Sequence, residues 1–235
     1  MMKKLICSSV CLLMLCSIQL SGQGFIKAVD NPWSQECYVT LNNGEEYKGK
    51  LSSAVFSGGS VRSLTVKHED GTKHKYKAED VKRLLIRFGE LAKIETIMEG
   101  TTSIQELLEL DFNEIIQREY IIFEQALLPK KKNKYALLQL VNPGFDNRIK
   151  VYENPTGQET GTMSVGDVAV TGGKERSYLV VKDGEKSVKV KKGSYKKSFS
   201  KLFADCEEMM KMYGQRKVKF NDMAYHVLHY DIICK

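Results

Sequence analysis

After its first twenty residues, this sequence has no apolar run long enough to cross a bilayer. It also lacks the spaced motifs that carry phosphate or nucleophilic chemistry. A phosphate-binding loop ending at Gly172-Gly173-Lys174 needs a glycine and a hydroxyl residue where Val168 and Glu175 stand. The stretch 161–166 has one residue too many before its serine for a hydrolase elbow. The sequence therefore offers no motif that assigns an enzyme class or a cofactor, and we expect no cofactor.

The N-terminus has the pattern of a secretory signal peptide. Two lysines precede a mostly apolar stretch over residues 5–20, and Ser21-Gly22 supplies small residues for cleavage. We expect residues 1–22 to be removed and the mature chain to start near Gln23. The mature chain would then have no transmembrane segment, and its location would be the periplasm, the outer-membrane surface or the extracellular space.

Two alternatives to a cleaved signal remain open. The first is a membrane-spanning helix, although the apolar run is short and no basic cluster follows it. The second is a lipoprotein anchored through Cys16, although Leu15 stands where a small residue is expected.

Signal removal leaves a mildly basic chain with three cysteines. The net charge falls from +7 to about +5, which suits solubility and does not by itself indicate nucleic acid as a partner. Because Cys37, Cys206 and Cys234 remain, at most one intramolecular disulfide can form. We predict a bond between Cys206 and Cys234, with two buried thiols as the alternative, and we expect Cys37 to be buried.

Residues 33–88 have the pattern of a small SH3-like or Sm-like barrel. Short strands flank two turn signals, Asn42-Asn43-Gly44 and Glu69-Asp70-Gly71, and a fifth strand starts at Val81. Residues 89–118 are predicted to be a partly helical connector. Residues 119–235 are predicted to form an antiparallel sheet with C-terminal helices.

The predicted sheet consists of short alternating strands separated by turns. A strand over residues 119–127, with a continued helix as the alternative, should pair with Tyr135–Val141, and Asn142-Pro143-Gly144 should turn the chain. The signal Asp183-Gly184 predicts a hairpin, with Val188 and Val190 pointing inward. This meander has one apolar face that needs a cover.

Two helices are predicted to cover that face. Apolar residues recur at helical spacing from Ser198 to Tyr213, and Gly214 should end the helix in a left-handed cap. Asn221 or Asp222 should then cap a last helix. The predicted class is α+β: a small SH3/Sm-like β-barrel, followed by an antiparallel β-meander covered by two C-terminal helices.

Three segments carry a resemblance to known proteins: LLQLVNPGFDNRIKVYENP (137–155), SYLVVKDGEKSVKVKK (177–192) and LFADCEEM (202–209). On these, the chain resembles a family of exported envelope proteins of Bacteroidetes-type bacteria, over roughly residues 100–235. The resemblance implies export and an envelope setting. It supplies no catalytic or ligand-binding residues.

Two groups of residues are candidate ligand sites. Asp222, His226 and His229 are weak metal candidates by helical spacing, and a surface helix with two solvated histidines is the simpler interpretation. Lysines cluster near 130–134 and again between 182 and 201, and a solvated outer face also explains them. From these clusters the candidate anion-binding residues are Lys130, Lys131, Lys132, Lys189, Lys191, Lys192, Lys196 and Lys197.

The sequence thus favours an exported, soluble, non-enzymatic envelope protein that acts as a binding or structural interaction module. Its partner would be an unknown envelope protein or polymer, with no nucleic acid expected. Two alternatives are a hydrolase-type enzyme acting on an envelope polymer through carboxylates, and a module that binds anionic glycan or lipopolysaccharide through the lysine clusters.

Overall fold

A computed structural model describes residues 24–26, 35–57, 60–87, 119–129, 135–154, 159–165, 168–174, 177–214 and 218–234. The predicted signal segment, the predicted connector 89–118 and Lys130, Lys131 and Lys132 lie outside these ranges. The strands are β1 Glu36–Leu41, β2 Glu46–Ser57, β3 Ser60–Lys67, β4 Lys73–Lys77, β5 Val81–Arg87, β6 Tyr120–Leu127, β7 Tyr135–Gln139, β8 Ile149–Glu153, β9 Glu159–Val165, β10 Val168–Lys174, β11 Ser177–Lys182 and β12 Val188–Lys191.

The N-terminal half forms a closed antiparallel barrel, and the fold is α+β as predicted. Six strands close in the order β2-β1-β5-β6-β7-β3, with β3 pairing back onto β2, and β4 extends the sheet from β3. Both predicted turns are present, with Gly44 at φ 89° and Gly71 at φ 85°. Gly49 of β2 has no room for a side chain, because an added Cβ would lie 2.5 Å from the carbonyl oxygen of Lys67.

The barrel extends past the predicted boundary at residue 88. The predicted pairing of β6 with β7 is confirmed, but β6 also pairs along β5, and β7 meets the start of β3. Ile121 and Phe123 of β6 are buried in the barrel core together with Cys37. Two strands that the sequence grouped with the meander therefore complete the barrel, because five strands alone leave two open edges.

The meander is a three-stranded sheet in the order β12-β11-β8. The predicted hairpin turn is present, since Asp183 and Gly184 both have positive φ, 48° and 75°. The expectation of one apolar face is incomplete. Ile149 and Val151 face the helices, while Tyr152 packs on the other side against barrel strands β6 and β7. A separate hairpin of β9 and β10, which the sequence analysis does not predict, lies between β8 and β11 in the chain.

Three helices cover the outer face of the meander: α1 Tyr195–Leu202, α2 Glu207–Tyr213 and α3 Met223–Ile233. The cover is as predicted, but the first helical segment is broken at residues 203–206. Cys206 there is extended (φ −113°, ψ 105°) and sits at the N-terminus of α2. The apolar residues of α1 and α2 pack in the same core. For this reason their spacing in the sequence resembles that of one continuous helix.

The predicted helix caps differ from the observed ones in detail. Gly214 ends α2 in a right-handed conformation (φ −59°), so the predicted left-handed cap is wrong. A Cβ on Gly214 would lie 2.4 Å from the carbonyl oxygen of Met210, which accounts for the glycine by close approach. Asp222 occupies the N-cap position of α3, but its side chain makes no capping hydrogen bond.

The segment just after the predicted cleavage point packs on the meander. The amide of Ile26 donates to the carbonyl of Val141 at 2.8 Å, and Phe25 makes an edge contact with Tyr178. A chain that started at Gln23 would keep these contacts. Among the described residues, no helix has the length and apolar character needed to cross a membrane.

Candidate functional site: a lysine-lined groove

A groove of about 350 Å³ lies between α1 and the β11–β12 hairpin. It is lined by five lysines, one glutamate, two serines and three apolar residues: Lys182, Lys186, Lys189, Lys197, Lys201, Glu185, Ser194, Ser198, Val180, Val188 and Leu202. We call it the lysine groove. Its positive charge greatly exceeds its negative charge, so anions are the ligands that it attracts.

Helical and strand geometry together build the lysine groove. Ser194 just precedes α1, and Lys197, Ser198 and Lys201 follow at spacings of three and four, which places them along one side of the helix. The opposite wall is the hairpin that turns at Asp183-Gly184. The lysines that line the groove thus come from two elements that are brought together only by packing of the helix on the sheet.

Val188 is the main exposed apolar residue of the groove. It is 50% exposed, whereas Val190, two residues along the same strand, is fully buried beneath the helices. The prediction that both valines point into the core is therefore wrong for Val188. The reason is that the helices cover the sheet only as far as Val190 and leave the end of the apolar face in contact with solvent.

Asp205 anchors Lys182, one of the lysines that line the groove. Its carboxylate accepts hydrogen bonds from the ammonium of Lys182 and, at 2.6 Å, from the hydroxyl of Tyr230, and Arg148 lies 3.2 Å away. Burial alone would raise the pKa of Asp205, but these hydrogen bonds outweigh it and lower the pKa to about 2. Lys182 also donates to the carbonyl of Leu202 at 2.6 Å, so it joins β11 to the end of α1. Because its ammonium is already paired, we expect it to contribute little to the binding of an anion.

The disulfide holds this anchor in place. Cys206 and Cys234 are bonded, with their Cα atoms 5.7 Å apart, which confirms the predicted pair. Cys206 follows Asp205 directly, so the bond ties the break between α1 and α2 to the end of α3. Cys37 is a buried free thiol, as expected, and burial raises its pKa to about 12.

The lysine candidates from the sequence divide between the groove and its surroundings. Lys189 and Lys197 line the groove, whereas Lys191 ends β12, Lys192 begins the short 3-10 turn that follows it, and Lys196 lies at the start of α1. Lys186 and Lys201 belonged to the same cluster in the sequence without being chosen as candidates. The contribution of Asp205 carried no sequence signal, because it depends on contacts with residues 23 and 25 positions away.

The metal candidates do not converge. His226 is 2% exposed, and its Nδ1 lies 2.7 Å from the hydroxyl of Tyr195; the Nδ1 of His229 lies 2.6 Å from the hydroxyl of Tyr213. The expectation of two solvated histidines is therefore wrong for His226, which packs among aromatic rings of α1 and α2. Within the described ranges, no group of three metal-binding side chains is assembled.

A larger cleft of about 620 Å³ lies where the barrel meets the meander. Its most enclosed acid is Glu124 on β6, which is bonded to the ammonium of Lys150 at 2.6 Å and to the hydroxyl of Tyr152 at 3.1 Å. Glu46, another acid of this cleft, accepts a hydrogen bond from Thr40 at 3.3 Å. Glu124 therefore joins the barrel to the meander, and its contacts give no support to a hydrolase that needs a free acid and base.

In comparisons with known proteins, the chain matches no family model, no curated protein and no solved structure. The geometry of the groove is thus the basis for a functional conclusion.

Proposed function

We infer that this chain is an exported, non-enzymatic envelope protein that acts as a binding module, and that the lysine groove is its binding site for an anionic group. The observation that carries this proposal is the groove itself, where lysines from α1 and from the β11–β12 hairpin surround one opening. Lys182 is held by Asp205, so Lys197 and Lys201 of α1 are the groove lysines on which we test binding.

Two further observations support the envelope setting. The disulfide between Cys206 and Cys234 is of the kind that persists in oxidising compartments. Phe25 and Ile26 contact the rest of the protein and lie after the predicted cleavage point, so a chain processed near Gln23 would keep their contacts. The resemblance over residues 100–235 leads to the same proposal.

Binding of dextran sulfate, a soluble sulfated polysaccharide, tests the anion site. We expect the processed chain to bind it and to lose affinity steeply between 50 and about 300 mM salt, because displaced counterions favour binding at low salt. The double variant K197E/K201E should weaken binding at least tenfold.

The control changes the same charge elsewhere. Lys73 and Lys75 are exposed on β4 of the barrel, so K73E/K75E matches the groove variant in charge and number. It should change affinity less than twofold. Equal losses in the two variants would mean that net charge, and not the groove, determines binding, and salt-independent binding would also count against the proposal.

A further inference from the structure

We propose that the anionic ligand of the lysine groove is a lipid, with its phosphate on the lysines and the first part of one alkyl chain on Val188. This rests on the proposed function and adds a ligand class to it. The argument depends on the arrangement of charge around an apolar surface, which a soluble anion would not use.

The apolar floor of the groove has a definite origin. Val180 and Val188 are cross-strand partners on β11 and β12, and Leu202 of α1 lines the same groove. Val180 and Leu202 are nearly buried, but Val188 is half exposed. A ligand that covered Val188 would complete the burial of a face that the helices leave unfinished.

The charged groups surround this floor. Lys186 and Lys189 lie two residues before and one residue after Val188 in the chain, and Lys197 and Lys201 lie across the groove on α1. Lysine side chains carry apolar stems below their ammonium groups, so a chain lying on Val188 would contact methylenes while its phosphate met the charges. A polysaccharide or a free phosphate would use the charges and leave Val188 in water.

The volume limits the size of the ligand. At about 350 Å³, the groove is near the lower end of the range for small-molecule sites. It therefore suits a headgroup phosphate and a short length of one chain, with the remainder of the lipid outside.

A series of alkyl phosphates tests this inference. Ethyl, butyl and hexyl phosphate would be titrated into the processed chain with methyl-labelled valines, and shifts of the Val188 methyl signals would be followed by NMR. We expect affinity to rise about fourfold for each methylene that reaches the floor, and to level off once the groove is filled.

One valine variant, with a matched control, tests the contribution of the apolar floor to binding. Val188→Ser should lower the ratio of hexyl to ethyl phosphate affinity about fivefold while leaving ethyl phosphate binding nearly unchanged. Val55→Ser is the matched control, since Val55 is 54% exposed on β2 of the barrel, and it should keep the wild-type ratio. Because both valines are exposed, neither change should prevent folding.

The outcomes separate the two proposals. Equal affinity for all three phosphates, with dextran sulfate still bound, would overturn the lipid and leave the anion site standing. Failure of every anion to bind would overturn both. An acidic peptide carrying one leucine that displaces hexyl phosphate and binds more tightly would replace the lipid with a protein segment and also overturn this inference.

Discussion

Asn142 shows how one buried side chain organises a turn. Its amide nitrogen donates to the carbonyls of Phe145 and Ile149 at 2.9 and 2.7 Å, and its amide oxygen accepts from the backbone of Val151 at 2.8 Å. The side chain is fully buried, so water cannot replace these bonds. They set the path of the chain between the barrel and the meander.

We therefore expect Asn142→Ala to lower the free energy of unfolding by about 2–3 kcal/mol, because three buried backbone groups lose their partner. Urea unfolding monitored by circular dichroism measures this. Asn147→Ala is the control: Asn147 is exposed and its amide donates to the carboxylate of Asp231 at 2.8 Å, so the loss should stay within about 0.5 kcal/mol. Similar losses at both sites would contradict this role of Asn142.

His226 should make the stability of the protein depend on pH. Burial lowers its pKa to about 4, with a smaller contribution from His229 in the same direction and an opposing one from Asp222. Because the unfolded chain takes up this proton near pH 6.5, the contribution is complete above that pH and is lost as the pH falls toward 4.

The expected size of this effect is about 2–3 kcal/mol between pH 7 and pH 4. Urea unfolding at pH 7, 5.5 and 4 should show a steeper decline for the wild type than for His226→Gln, which cannot take up the proton. The stability of the variant should still fall slightly as the pH falls, because burial also lowers the pKa of His229. Parallel profiles would show that His226 does not titrate in this range.

At the scale of elements, the disulfide links the broken helical segment to the last helix. Cys206 and Cys234 are 28 residues apart in the chain. In the chain-entropy description, closing a loop of this length stabilises the folded state by about 3–4 kcal/mol. The bond also holds Cys206, the residue after Asp205, so it supports the contact of Asp205 with Lys182 of the lysine groove.

We predict that C206A/C234A lowers the free energy of unfolding by about 3–4 kcal/mol and removes the sensitivity of the melting temperature to a reducing agent. Thermal melts with and without dithiothreitol measure both effects. Cys37→Ala, which alters a buried thiol in the barrel, should retain the sensitivity to reductant. If the double alanine variant still responded to reductant, another bond would have to be responsible.

At the scale of the whole molecule, the barrel and the meander share a packed boundary. Leu138 and Leu140 pack there with Tyr152 and Leu179, and the pair Glu124–Lys150 crosses the same boundary. Both parts contribute to the cluster at this boundary, so unfolding of either part alone would expose it to water. We expect one cooperative unfolding transition.

A double-mutant cycle measures the polar part of this boundary. For Glu124→Gln with Lys150→Met, we expect a coupling energy of about 1 kcal/mol, because Glu124 is only 15% exposed. The control pair is Glu207–Lys211 on α2, which has a similar distance of 2.7 Å but is more than 70% exposed on both sides. Its coupling should be no more than about 0.5 kcal/mol. Equal coupling energies would show that burial does not strengthen the boundary pair.

Much of this fold was predictable from local patterns. The turns at Gly44, Gly71 and Asp183-Gly184 were identified because their residue types suit positive φ, which is a property of a few neighbouring residues. The boundary of the barrel was not predictable in the same way. The sequence of β6 predicts a strand but does not say which strand it pairs with. Its alternation is equally compatible with β5, its actual neighbour, and with β8 of the meander.

The lysine groove was predictable only in part. The lysines of α1 and β12 stood out as a cluster, whereas the exposure of Val188 and the contacts of Asp205 did not. An alternating strand predicts that Val188 and Val190 share a face, but it cannot predict how far the covering helix extends.

The sequence by itself determined the strands other than β9 and β10, the turns at Gly44, Gly71 and Asp183-Gly184, the α+β class and the candidate cysteine pair, because alternation and turn chemistry act within short stretches of chain and only three cysteines remain after the signal. The tertiary structure decided which strands close the barrel, where the first helical segment breaks and which lysines meet around Val188. These features depend on pairing and packing between residues far apart in the chain, and hydrophobic burial selects among such pairings only when the whole molecule is assembled.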